Sequence, residues 1–342
     1  MDKKEFVNER MVTDLPGCMS AIIKELEAAG KYAAVHTYTC TLHSFTEFSG
    51  DTSGLLPVCE LFTPGRLKAY QEWLLSKSLS WNSISTCMRT LRAVFNRIFP
   101  VGSSGYIPGL FNDVYTKVES RTKRALTQKQ MRLLLGADIS LLPEDMGRTL
   151  AYFLLMFLFR GMPFIDLAHL RKRDVQGNVI VYCRHKTGRQ MTVRIPKEAV
   201  PLMKKFADKR PNSIYLFPIL DSSLGNGAVL HRCYLDALRS FNGRLMKVAS
   251  VLLPGVKLSS YTARHTWATL SYHLGTPVGI ISEALGHSSV RVTETYLKPF
   301  AGERIDRANY KLITSVVRRD LSKNVVCKIL YSSEYIDILL TK

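Results

Sequence analysis

Residues 100–113, P-V-G-S-S-G-Y-I-P-G-L-F-N-D, combine two prolines and three glycines within one short stretch. Proline removes a backbone donor and glycine carries a high conformational entropy cost, so neither a helix nor a strand runs through this segment. Directly after it, Thr116 to Thr127 carries Lys117, Arg121, Lys123 and Arg124 against Glu119 alone. A break followed by a basic run marks a domain boundary. It divides a 342-residue chain into two parts, each long enough to bury its own core. The expected organisation is an extension over 1–15, a first domain over 16–112, a basic linker over 113–125, a second domain over 126–314 and a tail over 315–342.

Charge separates the two parts. The chain carries 47 Lys and Arg against 28 Asp and Glu, a formal net charge of +19. Residues 1–115 hold 11 basic and 11 acidic side chains, so the entire excess lies in 116–342. An imbalance of this size implies a polyanionic partner, with nucleic acid ahead of a membrane surface. The longest apolar run, Leu150 to Phe159, falls well short of the roughly 20 residues that span a bilayer. The start of the chain is charged and lacks the apolar centre of a signal peptide. The seven cysteines are scattered without a C-x-x-C pair, which argues against a zinc site or disulfide framework and for a reducing cytoplasm.

The first domain reads as four helices, near 16–30, 35–49, 64–78 and 81–99, with a loop over 50–58. The last is capped near Asn82 or Ser83 and stops before Pro100. Its Ile84, Cys87, Met88, Leu91, Phe95 and Ile98 can share an inward face. Arg89, Arg92 and Asn96 then recur at helical spacing on another face, which could lie on DNA. An isolated bundle with incidental surface arginines fits this segment equally well. Leu126-Thr127 opens the second domain, with Thr127 as cap and Gln130 completing a capping box. Helices are expected over 145–159, from Phe164 to Leu170, from Pro196, and over 228–252, 262–273 and 277–285. Between them, Asn178–Cys183 and Gln190–Ile195 form a hairpin around His185-Lys186-Thr187-Gly188. The fold class is mainly α (α+β) with a small antiparallel sheet.

Three residues near the end carry the chemistry. Arg264, in Y-T-A-R-H-T-W-A-T, offers a guanidinium suited to paired hydrogen bonds with phosphate. His287, in L-G-H-S-S, can exchange a proton near neutral pH. Tyr296, nine residues beyond that histidine, has a hydroxyl able to attack phosphorus. Together they suggest phosphoryl transfer onto a tyrosine. No clustered Asp/Glu set suggests paired metals, and no cofactor is expected.

The order R-H-x-[WF]-A-T, then L-G-H about 20 residues on, then tyrosine nine later, resembles the C-terminal motifs of the tyrosine recombinase (phage integrase) family. The resemblance extends more loosely over about residues 15–315. It implies a SAM-like core-binding domain followed by a mixed α/β catalytic domain. It implies Tyr296 as nucleophile, Arg264 as a clamp on the scissile phosphate, and His287 as a phosphate ligand or proton acceptor. Lys186, on the hairpin in R-H-K-T-G, would protonate the leaving 5′ oxygen. His265 is left to packing. The implied partners are double-stranded DNA, a homotetramer on two synapsed sites and DNA-bending accessory proteins, with no membrane. The apolar tail would dock on a neighbouring protomer or pack on its own domain.

Two positions depart from the family pattern. Its first motif, T-G-x-R-x-x-E-L-x-x-L, matches R-G-M-P-F-I-D-L-A-H-L over residues 160–170. Asp166 stands at the glutamate and Pro163 where the second clamp arginine belongs; Arg160, one turn away, is the nearest substitute. Tyr261 stands at the histidine of H-x-x-R and can donate a hydrogen bond, but with a reference pKa near 10 it is a poor base. Both changes resemble a branch found on mobile elements and phase-variable loci. The expected function is a cytoplasmic site-specific recombinase acting by integration, excision or inversion. A type IB topoisomerase and a catalytically inactive DNA-binding relative stay open as alternatives.

Overall fold

The computed structural model of the chain describes residues 14–50, 58–119, 125–221, 223, 227–297 and 302–320. The expectations for Arg121, Lys123 and Arg124, for the extension up to residue 13 and for the tail beyond Asp320 lie outside the described residues.

Asp14 opens α1 (Leu15–Ala28) by accepting the Gly17 N–H at 2.9 Å, with proline in the first turn. Gly30, in the left-handed region at φ 68°, turns the chain into α2 (Tyr32–Ser49). A single helical turn, α3 (Val58–Leu61), begins where the loop was expected to end. α4 (Pro64–Ser76) is capped by Thr63 and α5 (Trp81–Ile98) by Ser80, whose Oγ accepts the Ser83 N–H at 3.3 Å. Ser80, not Asn82 or Ser83, is therefore the cap, because a short side chain reaches only the N–H two or three residues ahead. Leu15, Met19, Phe45, Tyr70, Leu91 and Phe95 meet in the core of these helices. Ile84, Met88, Leu91 and Phe95 of α5 point inward, while Arg89, Arg92 and Asn96 are exposed.

The turn-rich segment after α5 is packed. Leu110, Phe111 and Val114 fold back onto the first core. Gln71 Oε1 accepts the Tyr115 N–H at 2.6 Å, and Asn82 exchanges two hydrogen bonds with the Glu119 backbone.

The second core is built around α7 (Glu144–Leu158), preceded by α6 (Gln128–Leu135), whose Thr127–Gln130 capping box is present. Leu150, Phe153, Leu155 and Met156 of α7 are fully buried, each contributing about 1.5–3 kcal/mol. α8 (Phe164–His169) packs through Phe164, stacked on Phe241 at 4.3 Å. A three-stranded antiparallel sheet follows in the order β1 (Val175–Gln176), β2 (Val179–Cys183), β3 (Gln190–Arg194). Its register pairs Val179 with Arg194 and Cys183 with Gln190. The hairpin was expected; β1 was not, since two residues are too few to show alternation.

α9 (Ala199–Phe206) starts three residues after Pro196, because Pro196 closes a turn by accepting the Ala199 N–H. Then come α10 (Ala228–Leu252), α11 (Ser260–His273), α12 (Val278–Ala284), α13 (Val290–Glu294) and α14 (Gly302–Asp320). α11 lies against α7 and α12. The fold is mainly helical with one small sheet, as expected. Among the described residues no helix is long and apolar enough to cross a membrane.

Candidate active site

The end of α7 shapes the floor. Arg160 and Gly161 both adopt left-handed backbone, at φ 57° and 70°, reversing the chain towards α8. For Arg160 this costs about 1–2 kcal/mol. At Gly161 an added Cβ would stand 3.1 Å from Arg264 Cα, so the loop can run under α11 only with glycine there. α11 presents Arg264 into this floor, 3% exposed. Its Nη1 donates to Gly161 O at 2.9 Å, and its Nη2 donates to Leu285 O at 2.6 Å and meets His287 Nε2 at 2.9 Å.

Leu285, Gly286 and His287 form the C-terminal turn of α12. Gly286, at φ 64°, donates to Glu283 O, and His287 N–H donates to Ser282 O. The last carbonyls of a helix have no partner inside it and carry its partial negative charge. Here arginines satisfy them: Arg184 Nη1 donates to Leu285 O at 3.0 Å and Gly286 O at 2.8 Å.

The protonation of His287 follows from its neighbours. A guanidinium donates only, so Nε2 facing Arg264 must carry the lone pair. The proton then sits on Nδ1, which donates to Thr293 Oγ1 at 2.8 Å. Burial, then the charges of Arg264, Arg184 and Lys186, pushes this imidazole down to about 4. Arg264 is itself pushed below its ordinary range by burial and by Arg184.

Tyr296 completes the cluster. Its half-buried ring stands 5.0 Å from the His287 ring and 4.7 Å from the His265 ring, and Arg264 Cζ lies 5.6 Å from its centroid. Thr269 Oγ1 donates to the Tyr296 carbonyl at 3.2 Å. Arg264, His287 and Tyr296 thus come together within one protomer.

The remaining sequence candidates sit around this centre. Tyr261 is 60% exposed beside a cleft of about 50 Å³, which Pro163, Ser260 and Arg264 also line. Partial desolvation raises its hydroxyl further, so it remains a donor. Pro163 therefore does stand at the site and contributes only apolar surface. Lys186 is exposed in the hairpin turn, and no hydrogen bond holds it among the described residues. Its hairpin is tied to the histidine turn through Arg184 and through Arg189, whose Nη1 donates to His287 O at 3.4 Å. Arg160 turns away, donating from Nη1 to Thr192 O at 3.3 Å.

The sequence reading missed Arg184, Asp166 as its partner, and Thr293. Asp166 is 3% exposed; its Oδ1 accepts the His185 N–H at 2.9 Å and its Oδ2 lies 3.5 Å from Arg184 Nε. Burial outweighs those contacts and raises this carboxyl. The signal for Arg184 was available: Ile180 and Tyr182 face the core, and Arg184 is the next residue in that alternation. Nothing in the sequence marks Thr293 among the other threonines.

A two-part, mainly helical chain with one small sheet thus gathers Arg264, His287 and Tyr296 into one cluster. The phage integrase family model matches residues 124–303, and the phage integrase SAM-like domain model matches residues 15–99. The chain belongs to the phage integrase family and is a tyrosine site-specific recombinase. It is 26% identical over 242 residues to the tyrosine recombinase XerA of Pyrococcus furiosus, covering 69% of this chain and 77% of that one. A Thermococcus onnurineus XerA is 23% identical over 53% of this chain and 60% of its own length. In fold it resembles the Tn1549 transposon integrase in complex with a circular intermediate DNA, with TM-score 0.58 and 15% identity over 87% of this chain and 99% of that chain. It also resembles the XerH site-specific recombinase bound to palindromic difH substrate, with TM-score 0.60 and 16% identity over 84% and 83% of the two chains.

Proposed function

We propose that the chain cuts and rejoins double-stranded DNA through a covalent link on Tyr296. The observation that carries this is the gathering of Tyr296, His287 and Arg264 in one protomer. Tyr296 Oη attacks the scissile phosphorus, the bond to the 5′ oxygen breaks, and a 3′-phosphotyrosyl link forms. The phenolic proton passes to a base and the departing 5′ oxygen takes one from Lys186. One phosphoester replaces another, so the reverse step rejoins the strand without an outside energy source.

The resting hydrogen bonds suggest how the base is prepared. Arg264 Nη2 already occupies the His287 lone pair. A phosphate oxygen reaching Nη2 competes for that donor and frees Nε2 to accept the phenolic proton. The phosphate's charge also offsets the arginines that depress His287, which brings it closer to the working range of a base. Tyr261 supplies a further donor at the cleft. Arg89, Arg92 and Asn96 on α5 offer an exposed face for the DNA backbone. Two synapsed sites held by four protomers, with DNA-bending partners, complete the reading.

The test uses nicked suicide duplexes carrying candidate sites taken from the sequence that flanks the gene. The wild type should form a protein–DNA adduct that survives denaturing electrophoresis, and Tyr296→Phe should form none. An adduct of undiminished yield in Tyr296→Phe refutes the assignment. Intact binding with no adduct in the wild type favours a DNA-binding protein without strand transfer, as Pro163 at the cleft would suggest.

A further inference from the structure

We propose that Arg184 is the second guanidinium of the phosphate clamp, supplied from the β-hairpin because Pro163 cannot supply one. This rests on the phosphoryl-transfer reading above and goes beyond it in naming the residue.

Three observations carry the assignment. First, Arg184 is 7% exposed and reaches the same atom as Arg264: its Nη1 and the Arg264 Nη2 both donate to Leu285 O, at 3.0 and 2.6 Å. Two cations drawn to a single carbonyl repel each other, and burial together with that repulsion lowers Arg264. Such a pair is costly to bury unless an anion joins it.

Second, the local charges do not balance. Among the described residues Arg264 bonds carbonyl oxygens and an imidazole and interacts with the Tyr296 hydroxyl, and no carboxylate accepts from it. The acid beside the pair among the described residues is Asp166, whose Oδ2 and the facing Arg184 Nε are both buried without a hydrogen bond at their 3.5 Å separation. Two guanidiniums thus share one carboxylate and the negative end of a helix, worth roughly half a charge, which leaves a net positive charge of roughly one half. A phosphodiester joining the pair would offset it.

Third, donors remain to receive it. Among the described residues Arg184 Nη2 makes no hydrogen bond, while Nη1 is fixed to the turn that carries His287. The guanidinium is therefore held in place with one corner free. Gly286 permits this approach, since a Cβ there would stand 2.8 Å from Arg184 Cδ. Arg160, by contrast, spends its Nη1 on Thr192 O at the edge of the sheet.

The experiment compares wild type, Arg184→Ala, Arg184→Lys and Arg160→Ala on two suicide duplexes. One carries the ordinary scissile phosphate and the other an uncharged methylphosphonate at that position. Clamping charge matters on the first duplex and much less on the second. Arg184→Ala is expected to cleave the phosphate duplex roughly a hundredfold more slowly and to recover to within about tenfold of wild type on the methylphosphonate. Arg184→Lys, which keeps the charge and the packing of the stem, is expected to fall between them. A mobility-shift titration with the same duplex checks that each variant still binds.

Equal loss on both duplexes for Arg184→Ala and Arg184→Lys would mean that Arg184 only holds the histidine turn, and overturns the clamp. So does loss in Arg160→Ala with Arg184→Ala unaffected. If the wild type forms no Tyr296-dependent adduct, the phosphoryl-transfer reading fails and takes this assignment with it. A wild type that forms one beside an unimpaired Arg184→Ala refutes the assignment alone.

Discussion

Replacing Thr293 with valine removes one oxygen and almost no volume, so it isolates the hydrogen bond that sets the His287 tautomer. Thr293 is fully buried and His287 is 8% exposed, so water cannot take the place of the lost acceptor. The ring has no alternative arrangement. Transferring the proton to Nε2 would aim an N–H at Arg264 Nη2, which is itself only a donor, at 2.9 Å. Flipping the ring would put carbon against the guanidinium. The Nδ1–H is therefore stranded, and a buried unsatisfied donor costs about 1–3 kcal/mol. In a catalytic domain of this size each kcal/mol lowers the melting temperature by about 2–4 °C, so a central estimate is a drop of roughly 6 °C. Thermal melts of wild type, Thr293→Val and Thr293→Ser measure this directly, with serine restoring most of the loss. Imidazole nitrogen NMR on histidine-labelled protein supplies the second readout. Wild-type His287 should be neutral with its proton on Nδ1. A Thr293→Val protein melting within 1 °C of wild type, or a wild-type proton found on Nε2, would refute the reasoning.

Two further outcomes follow from the same turn. Gly286→Ala places a Cβ at positive φ, 2.8 Å from both Arg184 Cδ and Met191 Sδ; urea unfolding should show a loss of about 2–4 kcal/mol with an unchanged m value. Folded His287 binds fewer protons than the unfolded chain between the ordinary histidine value of 6.5 and about 4. Stability should therefore be fully present above pH 6.5 and fall as pH drops through that window, by about 3 kcal/mol at most. Burial lowers His169 and His231 as well and adds in the same direction. His287→Gln should flatten the largest part of the slope in pH-dependent denaturation, and an unchanged slope would place the titration elsewhere.

α5 declared itself through an apolar period that leaves Arg89, Arg92 and Asn96 outside. The hairpin declared itself through alternation about a glycine turn. Arg264, His287 and Tyr296 were legible because each chemistry depends on residue type, and their order in the chain survives folding. The capping residue Thr127 was legible because a capping box is local. Ser80 was misplaced by two or three residues because several hydroxyl and amide side chains compete there, and only the backbone decides which one reaches an N–H.

Residue types and local spacing by themselves pointed to two helical domains, a polyanionic partner and the trio of Arg264, His287 and Tyr296 that the fold brings together. Only the tertiary structure decided which charges meet. Arg160 and Arg184 are equally arginine in the sequence, each near a motif. The left-handed turn after α7 sends one to the rim of the sheet, while the inward register of β2 sends the other to the end of α12 beside Arg264. Local patterns act over a few residues. The partner of a buried charge is chosen by elements distant in the chain, as Arg184 and Leu285 are at a separation of 101 residues, brought together by the packing of the second core.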